Sequence, residues 1–293
     1  MKKRKFKLVN KKPLAILAGL LALVILAVAA YSHIGKKEQE PFYVLLLGID
    51  ARGEETMTRA DTIILAAVDQ QKNKVAFLSI PRDTRIAIPG FGVEKINNAT
   101  VHGGPELAES TVSRLLGVTV ENYVQVDFLG FKNVVDALGG VTIDVEEKMY
   151  HVDPEDDFAY HIDLDPGEQR RLDGAKALQF VRYRDYPLGD ITRLDNQHKM
   201  LVALGRELMQ PSTIIKLPAL IPEIHRYVKT NLNPTDVLAL STILDTLNSG
   251  DIVTCTLPGS LMDVSGVSYW EPTPPEEANL LLKSFFQDQN DNE

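Results

Sequence analysis

Residues 42–49 read Phe-Tyr-Val-Leu-Leu-Leu-Gly-Ile, and Asp50-Ala51-Arg52 follows at once. An unbroken apolar run of this length, closed by charge, predicts a strand buried on both faces. Thr62–Val68 (TIILAAV) and Val75–Ile80 (VAFLSI) have the same composition. The polar stretch Asp69–Lys74 between them predicts a hairpin. Outward from this centre, helical spacing in Pro105–Leu116 stops at Gly117. Tyr123–Asp127 reads as a strand, Leu129–Leu138 as a helix closed by Gly139-Gly140, and Val141–Val145 as another strand. Residues 150–170 are acidic and read as irregular. Gly174–Phe180 predicts a short helix leading to Val181–Arg184, and Asp190 caps a long helix reaching about Leu208. Pro234–Leu247 is a further helix, with late strands at Ile252–Leu257 and Val267–Trp270. Strands and helices alternate with no long linker over residues 41–270. This predicts a single compact α/β domain, a central mixed sheet flanked by helices. Glu271–Pro275 is a stiff break, and 271–293 holds a last helix (Glu276–Phe286) and a polar tail.

The first 35 residues carry seven basic side chains and no acid, which leaves 24 basic against 40 acidic in the remainder. A body that acidic does not neutralise phosphates and is a poor nucleic-acid binder. Leu14–Ala30 is free of charge and, as a helix, about 25 Å long. Residues 1–13 then form a cytoplasmic basic tail, 14–31 one N-terminal transmembrane helix and 32–40 a polar linker. The body is extracellular, on a single-pass protein of the cell membrane. A cleaved signal peptide is the competing reading, with Ala27-Val28-Ala29 as its cleavage site. The run is longer than the usual signal core, which favours an anchor. A lone cysteine, Cys255, allows no internal disulfide and reads as a buried apolar side chain.

Chemistry belongs at the polar ends of buried strands. Four places qualify: Asp50 and Arg52; Arg59-Ala60-Asp61-Thr62; Pro81-Arg82-Asp83-Thr84-Arg85; and Arg182-Tyr183-Arg184-Asp185 leading through Gly189-Asp190 to Arg193 and Gln197. If the first two strands are antiparallel neighbours, Asp50 and Asp61 approach each other across the loop. Two close carboxylates repel unless a divalent cation lies between them, and oxygen ligands suit Mg²⁺ or Mn²⁺. If 182–184 is extended, Arg182 and Arg184 share a face. Arg193 and Gln197 share one at i, i+4 on a helix. Arginine forks beside a metal suit a pyrophosphate. Singly, each of these residues is also an ordinary loop charge or turn cap. The six histidines show no ligand spacing, and the acids of 153–165 read as a solvated loop rather than a Ca²⁺ site.

Taken together the segments resemble the LytR-CpsA-Psr family of bacterial cell-envelope proteins. The carrying runs are Leu46–Arg52, Arg59–Thr62, Ser79–Thr84, Lys95-Ile96-Asn97, Val126–Phe131, Asp136–Val141, Leu172–Gly174, Phe180–Arg184 and Gly189-Asp190. The resemblance implies a phosphotransferase that moves a glycopolymer (wall teichoic acid, capsule or similar) from a polyprenyl-pyrophosphate carrier to peptidoglycan, through a phosphodiester. It implies an apolar lipid cavity between sheet and helices, and membrane, carrier-linked glycan and peptidoglycan as partners. By motif matching, Asp50 and Asp61 hold the magnesium, while Arg59, Arg82, Arg182, Arg184, Arg193 and Gln197 bind the pyrophosphate. Asp61 or Asp83 accepts the proton of the attacking hydroxyl. Two positions depart from the pattern: Ala60 replaces a serine, and Asn196 replaces a second arginine. Alternatives are a carrier-binding protein or pyrophosphatase without transfer, and a membrane-bound transcriptional regulator. The basic run that supports the last is explained by membrane topology.

Overall fold

Three buried strands form the centre of the computed structural model: β1 (Phe42–Ile49), β2 (Ala60–Asp69) and β3 (Lys74–Ser79). The structure describes residues 41–49, 58–69, 74–152, 161–183, 190–208, 210–214, 224, 227–232 and 252–285, with the side chains of 190–195, 211 and 214 outside the description. A small hairpin follows, β4 (Arg85–Ile88) and β5 (Gly92–Lys95), then α1 (Ala99–Leu116), β6 (Tyr123–Val126), α2 (Phe128–Ala137) and β7 (Val141–Val145). Next come β8 (Met149–His151), β9 (Ile162–Leu164), β10 (Gly167–Leu172), α3 (Gly174–Arg182) and α4 (Asp190–Leu208). The chain closes with β11 (Val228–Thr230), β12 (Ile252–Thr256), the hairpin β13 (Gly259–Val264) and β14 (Val267–Pro272), and α5 (Pro275–Ser284).

The main sheet has six strands in the order β11-β6-β1-β2-β3-β12. The β1–β2 and β2–β3 pairs are antiparallel, and β1–β6 and β3–β12 are parallel. The sheet is therefore mixed, as expected, and the hairpin closes on Asp69 opposite Lys74. Val44–Leu47 and Leu65–Ala67 are fully buried. Burying each such leucine contributes about 1.5–3 kcal/mol, which is why β1 and β2 anchor the fold.

Three expectations are corrected. The helix expected from Pro105 begins earlier, at Ala99, and kinks at Gly103-Gly104, where Gly104 takes φ 68° and Pro105 restarts it. Residues 150–170 are not wholly irregular: β8 pairs with β9, and β10 pairs with β7. Val181 and Arg182 belong to α3 rather than to an extended segment, while Tyr183, which caps that helix, is extended. The expected helix Pro234–Leu247 and the expected span 14–31 lie outside the described residues. Among the described residues no helix is long and apolar enough to cross a membrane.

On α1, Glu109 is buried with Oε1 lacking a hydrogen-bond partner. Burial pushes its pKa up to about 7, aided by Glu106 and Glu121 and opposed by a hydrogen bond with Asn231. Between the unfolded value and pH 7 the folded chain therefore holds a proton that the unfolded chain has lost. Stability falls as pH rises through that window. Glu109→Gln should melt higher than wild type at pH 8 and close to it at pH 5. Equal differences at both pH values in thermal melts would refute this.

Candidate functional site

The ends of the buried strands gather at one edge of the sheet. Gly48 near the end of β1 lies opposite Val126 at the end of β6 and opposite Thr62 at the start of β2. Ser79, the last residue of β3, faces Ile64 on β2 and Thr256 at the end of β12. The β1–β2 register slips here. Thr62 pairs with Gly48 and Ala60 with Ile49, so Asp61 is the extra residue of a bulge. A bulge re-aims its extra side chain. Asp61, 9% exposed, accepts a hydrogen bond on Oδ1 from Arg82 Nη1 at 2.6 Å.

Arg82 reaches Asp61 from a turn tied down on several sides. Thr84 donates to the Pro81 carbonyl through both its amide (2.9 Å) and its hydroxyl (2.6 Å). The carbonyls of Arg82, Asp83 and Thr84 accept from the amides of Asn97, Trp270 and Ile96 at 3.2, 2.9 and 2.8 Å. The Asp83 carboxylate lies 2.7 Å from Lys95 Nζ and 3.8 Å from Arg82 Nε. Lys95 in turn stands 5.5 Å over the Tyr269 ring. Two acids and two bases thus alternate along one short arc, and each charge there has an opposite neighbour.

Of the expected site residues, the structure brings Asp61, Arg82 and Asp83 together. Arg59, exposed, lies two residues before Asp61 and donates from Nε to Asn98 Oδ1 at 3.0 Å. Arg182 closes α3, with its guanidinium 5.2 Å over the ring of Phe128. Phe128 opens α2 directly after β6 and Asp127, which caps α2 at this same sheet edge. Gln197 is 2% exposed on α4. Its neighbour His198 pins that helix to the sheet through Nε2 and Ser79 Oγ at 2.7 Å. Asn196, where the resemblance places an arginine, is buried and points Nδ2 toward the Phe180 carbonyl at 3.5 Å. That position packs α4 against α3. Asp50, Arg184 and the side chain of Arg193 lie outside the described residues.

Lys95, Asn98, His198 and Trp270 belong to the site's surroundings without having been expected there. Lys95 opens the family-like run Lys95-Ile96-Asn97, so a signal existed. The other three act across more than 30 residues of chain, and spacing does not show such partners. Cys255 is half-buried in β12 rather than fully buried, and burial pushes its thiol pKa up. Thr62, which follows Asp61 in β2, and Asn97, whose amide donates to the Arg82 carbonyl, bury Oγ1 and Oδ1 without hydrogen-bond partners. A buried carboxylate with a hydroxyl oxygen next to it in the chain is the donor chemistry that a hard cation takes. Among the described residues no group of three His, Cys, Asp or Glu side chains is placed to hold a metal. A separate groove of about 490 Å³ lies at the far end of β1, lined by Pro41, Tyr43, Val118, Leu280 and Lys283 among others.

Known proteins resemble this chain in sequence and in fold. The teichoic acid transferase TagU of Oceanobacillus iheyensis, named polyisoprenyl-teichoic acid–peptidoglycan teichoic acid transferase, is 32% identical over 264 residues, 86% of this chain and 78% of that protein. The regulatory protein MsrR of Staphylococcus aureus is 32% identical over 217 residues; the chain spans 64% of its length. Among solved structures, Bacillus subtilis TagV superposes with a TM-score of 0.74 at 31% identity, over 85% of this chain and 98% of that one. TagT bound to LI-WTA superposes at 0.70 with 27% identity, over 87% and 94%. The LytR_cpsA_psr family profile matches residues 11–283, a stretch that takes in the whole sheet and every residue of the arc around Asp61. By sequence and fold alike, the chain belongs to the LytR-CpsA-Psr family.

Proposed function

We propose that this chain transfers a glycopolymer from a polyprenyl-pyrophosphate carrier to peptidoglycan. The Arg82–Asp61 pair at the bulge carries the reading: a guanidinium and a carboxylate are held together, mostly buried, where three strand ends meet. A sugar hydroxyl of peptidoglycan attacks the phosphorus that bears the glycopolymer. The bond from that phosphorus to the bridging oxygen breaks, polyprenyl phosphate leaves, and the product is a phosphodiester. Arg82, with Arg59, Arg182, Arg184 and Arg193, neutralises the pyrophosphate and the charge that develops on the leaving phosphate, with Gln197 as an uncharged hydrogen-bond donor beside them. The attacking hydroxyl loses its proton to Asp83. That carboxylate is 34% exposed, so substrate reaches it, whereas Asp61 is buried against Arg82.

Asp50 and Asp61, with Thr62 beside them, would hold Mg²⁺ or Mn²⁺. The ion would supply positive charge to the phosphoryl oxygens. The carrier's prenyl tail would occupy an apolar cavity between the sheet and its helices, and the body would face outward from the membrane. The likeness to MsrR, a regulatory protein, favours a second reading, a regulator, whose sequence support, the basic run Lys2–Lys12, is equally explained by membrane topology.

The test mixes the full chain in detergent with lipid-linked teichoic acid precursor, peptidoglycan oligomers and Mg²⁺. Covalent glycopolymer–peptidoglycan is the expected product. EDTA should lower its rate by at least about tenfold, with recovery on adding Mg²⁺ or Mn²⁺. Asp61→Asn should not recover. Phosphate release that does not depend on peptidoglycan would instead establish hydrolysis without transfer.

A further inference from the structure

Arg59 differs from Arg82 in one respect: it is exposed, on a long side chain with no carboxylate bonded to it among the described contacts. An exposed arginine loses rotamer freedom when it engages a phosphate. The protein has already fixed this one. Asn98 Oδ1 accepts from Arg59 Nε at 3.0 Å, and the same amide donates from Nδ2 to Glu94 Oε2 at 2.7 Å. Glu94 Oε2 also accepts from His102 Nε2 at 3.0 Å. The imidazole of His102 is stacked flat on the Phe91 ring, with centroids 4.1 Å apart and planes 8° apart.

We propose that Asn98, Glu94 and His102 form a relay that positions Arg59 for the pyrophosphate, so that the hairpin β4–β5 and the first turns of α1 serve the site from outside it. This deepens the proposed function and rests on it. The chemistry fits the geometry. An Nε–H committed to Asn98 leaves the two Nη groups directed away from that bond, the edge that matches two phosphate oxygens. An asparagine serves where an aspartate would not. It accepts from Arg59 without neutralising the charge the pyrophosphate needs, and its amide protons bind Glu94. The Glu94 carboxyl is held below its usual range, first by the His102 hydrogen bond and then by Asn98, so it stays an acceptor. Asn98, Glu94 and His102 are positioning residues, since the substrate meets Arg59.

The test uses the full chain in detergent and farnesyl pyrophosphate as the probe. Asn98→Ala and Glu94→Ala should each weaken binding by about five- to tenfold. In an Arg59→Ala background neither should weaken it further, because nothing is left to position. Independently of any ligand, the Arg59 Nε–Hε resonance, assigned by its loss in Arg59→Ala, should shift and exchange faster in Asn98→Ala. Additive losses in the double variants, or an unmoved Arg59 resonance, overturn the relay. A wild-type chain that does not bind the probe, with the resonance shifting as expected, overturns the pyrophosphate reading and this use of Arg59 with it, while the local contact stands.

Discussion

Arg82→Ala should abolish transfer and lower stability at the same time. Its partner Asp61 is 9% exposed and loses the guanidinium bonded at 2.6 Å, a charge-assisted bond in a mostly buried place. Breaking such a pair costs about 3–5 kcal/mol. Loss of one charge-stabilising donor at a reacting phosphate costs a further factor of about 10²–10³ in rate. Arg82→Lys separates the two effects. The ammonium keeps Asp61 paired, so the melting temperature recovers most of the loss, but a point charge does not reproduce the fork and transfer stays low. If Asp61 also ligates a cation, Mg²⁺ should raise the melting temperature of Arg82→Ala more than that of wild type, and Asp61→Asn in the same chain should remove the difference. Differential scanning calorimetry with and without Mg²⁺, beside initial rates, reads all of these. Wild-type transfer by Arg82→Ala would reject the site.

Gly174→Ala should unfold the arginine-bearing part of the site from a distance. A Cβ at Gly174 would lie 2.2 Å from the Lys132 carbonyl oxygen and 2.7 Å from its Cα, both rigid backbone of α2. The Gly174 amide is meanwhile bound to Asp136 Oδ1 at 2.7 Å, so α3 cannot retreat without losing its tie to α2. Relief requires parting the two helices, at a cost of about 3 kcal/mol or more. Arg182, at the other end of α3 and stacked over Phe128 of α2, moves with it. Gly90→Ala is the control. Gly90 has φ 84° but no atom near the added carbon, so it bears only the left-handed backbone strain of about 1–2 kcal/mol. In thermal melts Gly174→Ala should lose about twice as much stability as Gly90→Ala, or more; similar losses would mean that the α2–α3 contact is not tight.

How legible was this in the sequence? The central strands were, because an apolar run buried on both faces, as in Leu45–Leu47 and Ile63–Ala67, leaves an unbroken signal. The convergence of Asp61 and Arg82 followed from their places at strand ends. The two small hairpins β4–β5 and β13–β14 were not legible as pairs. Phe91, Val93, Leu261 and Val267 in them are exposed, so their pattern does not follow burial. Arg182 was misplaced because Val181 and Tyr183 flank it as in a strand, whereas the preceding run from Gly174 carries the helix through it. Strands β8 and β9 are three residues each in an acidic stretch, held by pairing with each other rather than by composition. His198 shows no ligand spacing in the sequence, and its role is structural, but its partner was not legible. Its partner Ser79 is 119 residues away, and no local pattern encodes that.

The turn that carries Arg82 and Asp83 is tied to Trp270, close to the far end of the chain. Timing follows from that bond. A ribosome makes β1, β2 and β3 well before Trp270, so the local ties from Pro81, Ile96 and Asn97 form first and the clamp on the Asp83 carbonyl is added later. A chain clipped ahead of β13 would keep the strands of the site and lose that one long-range tie.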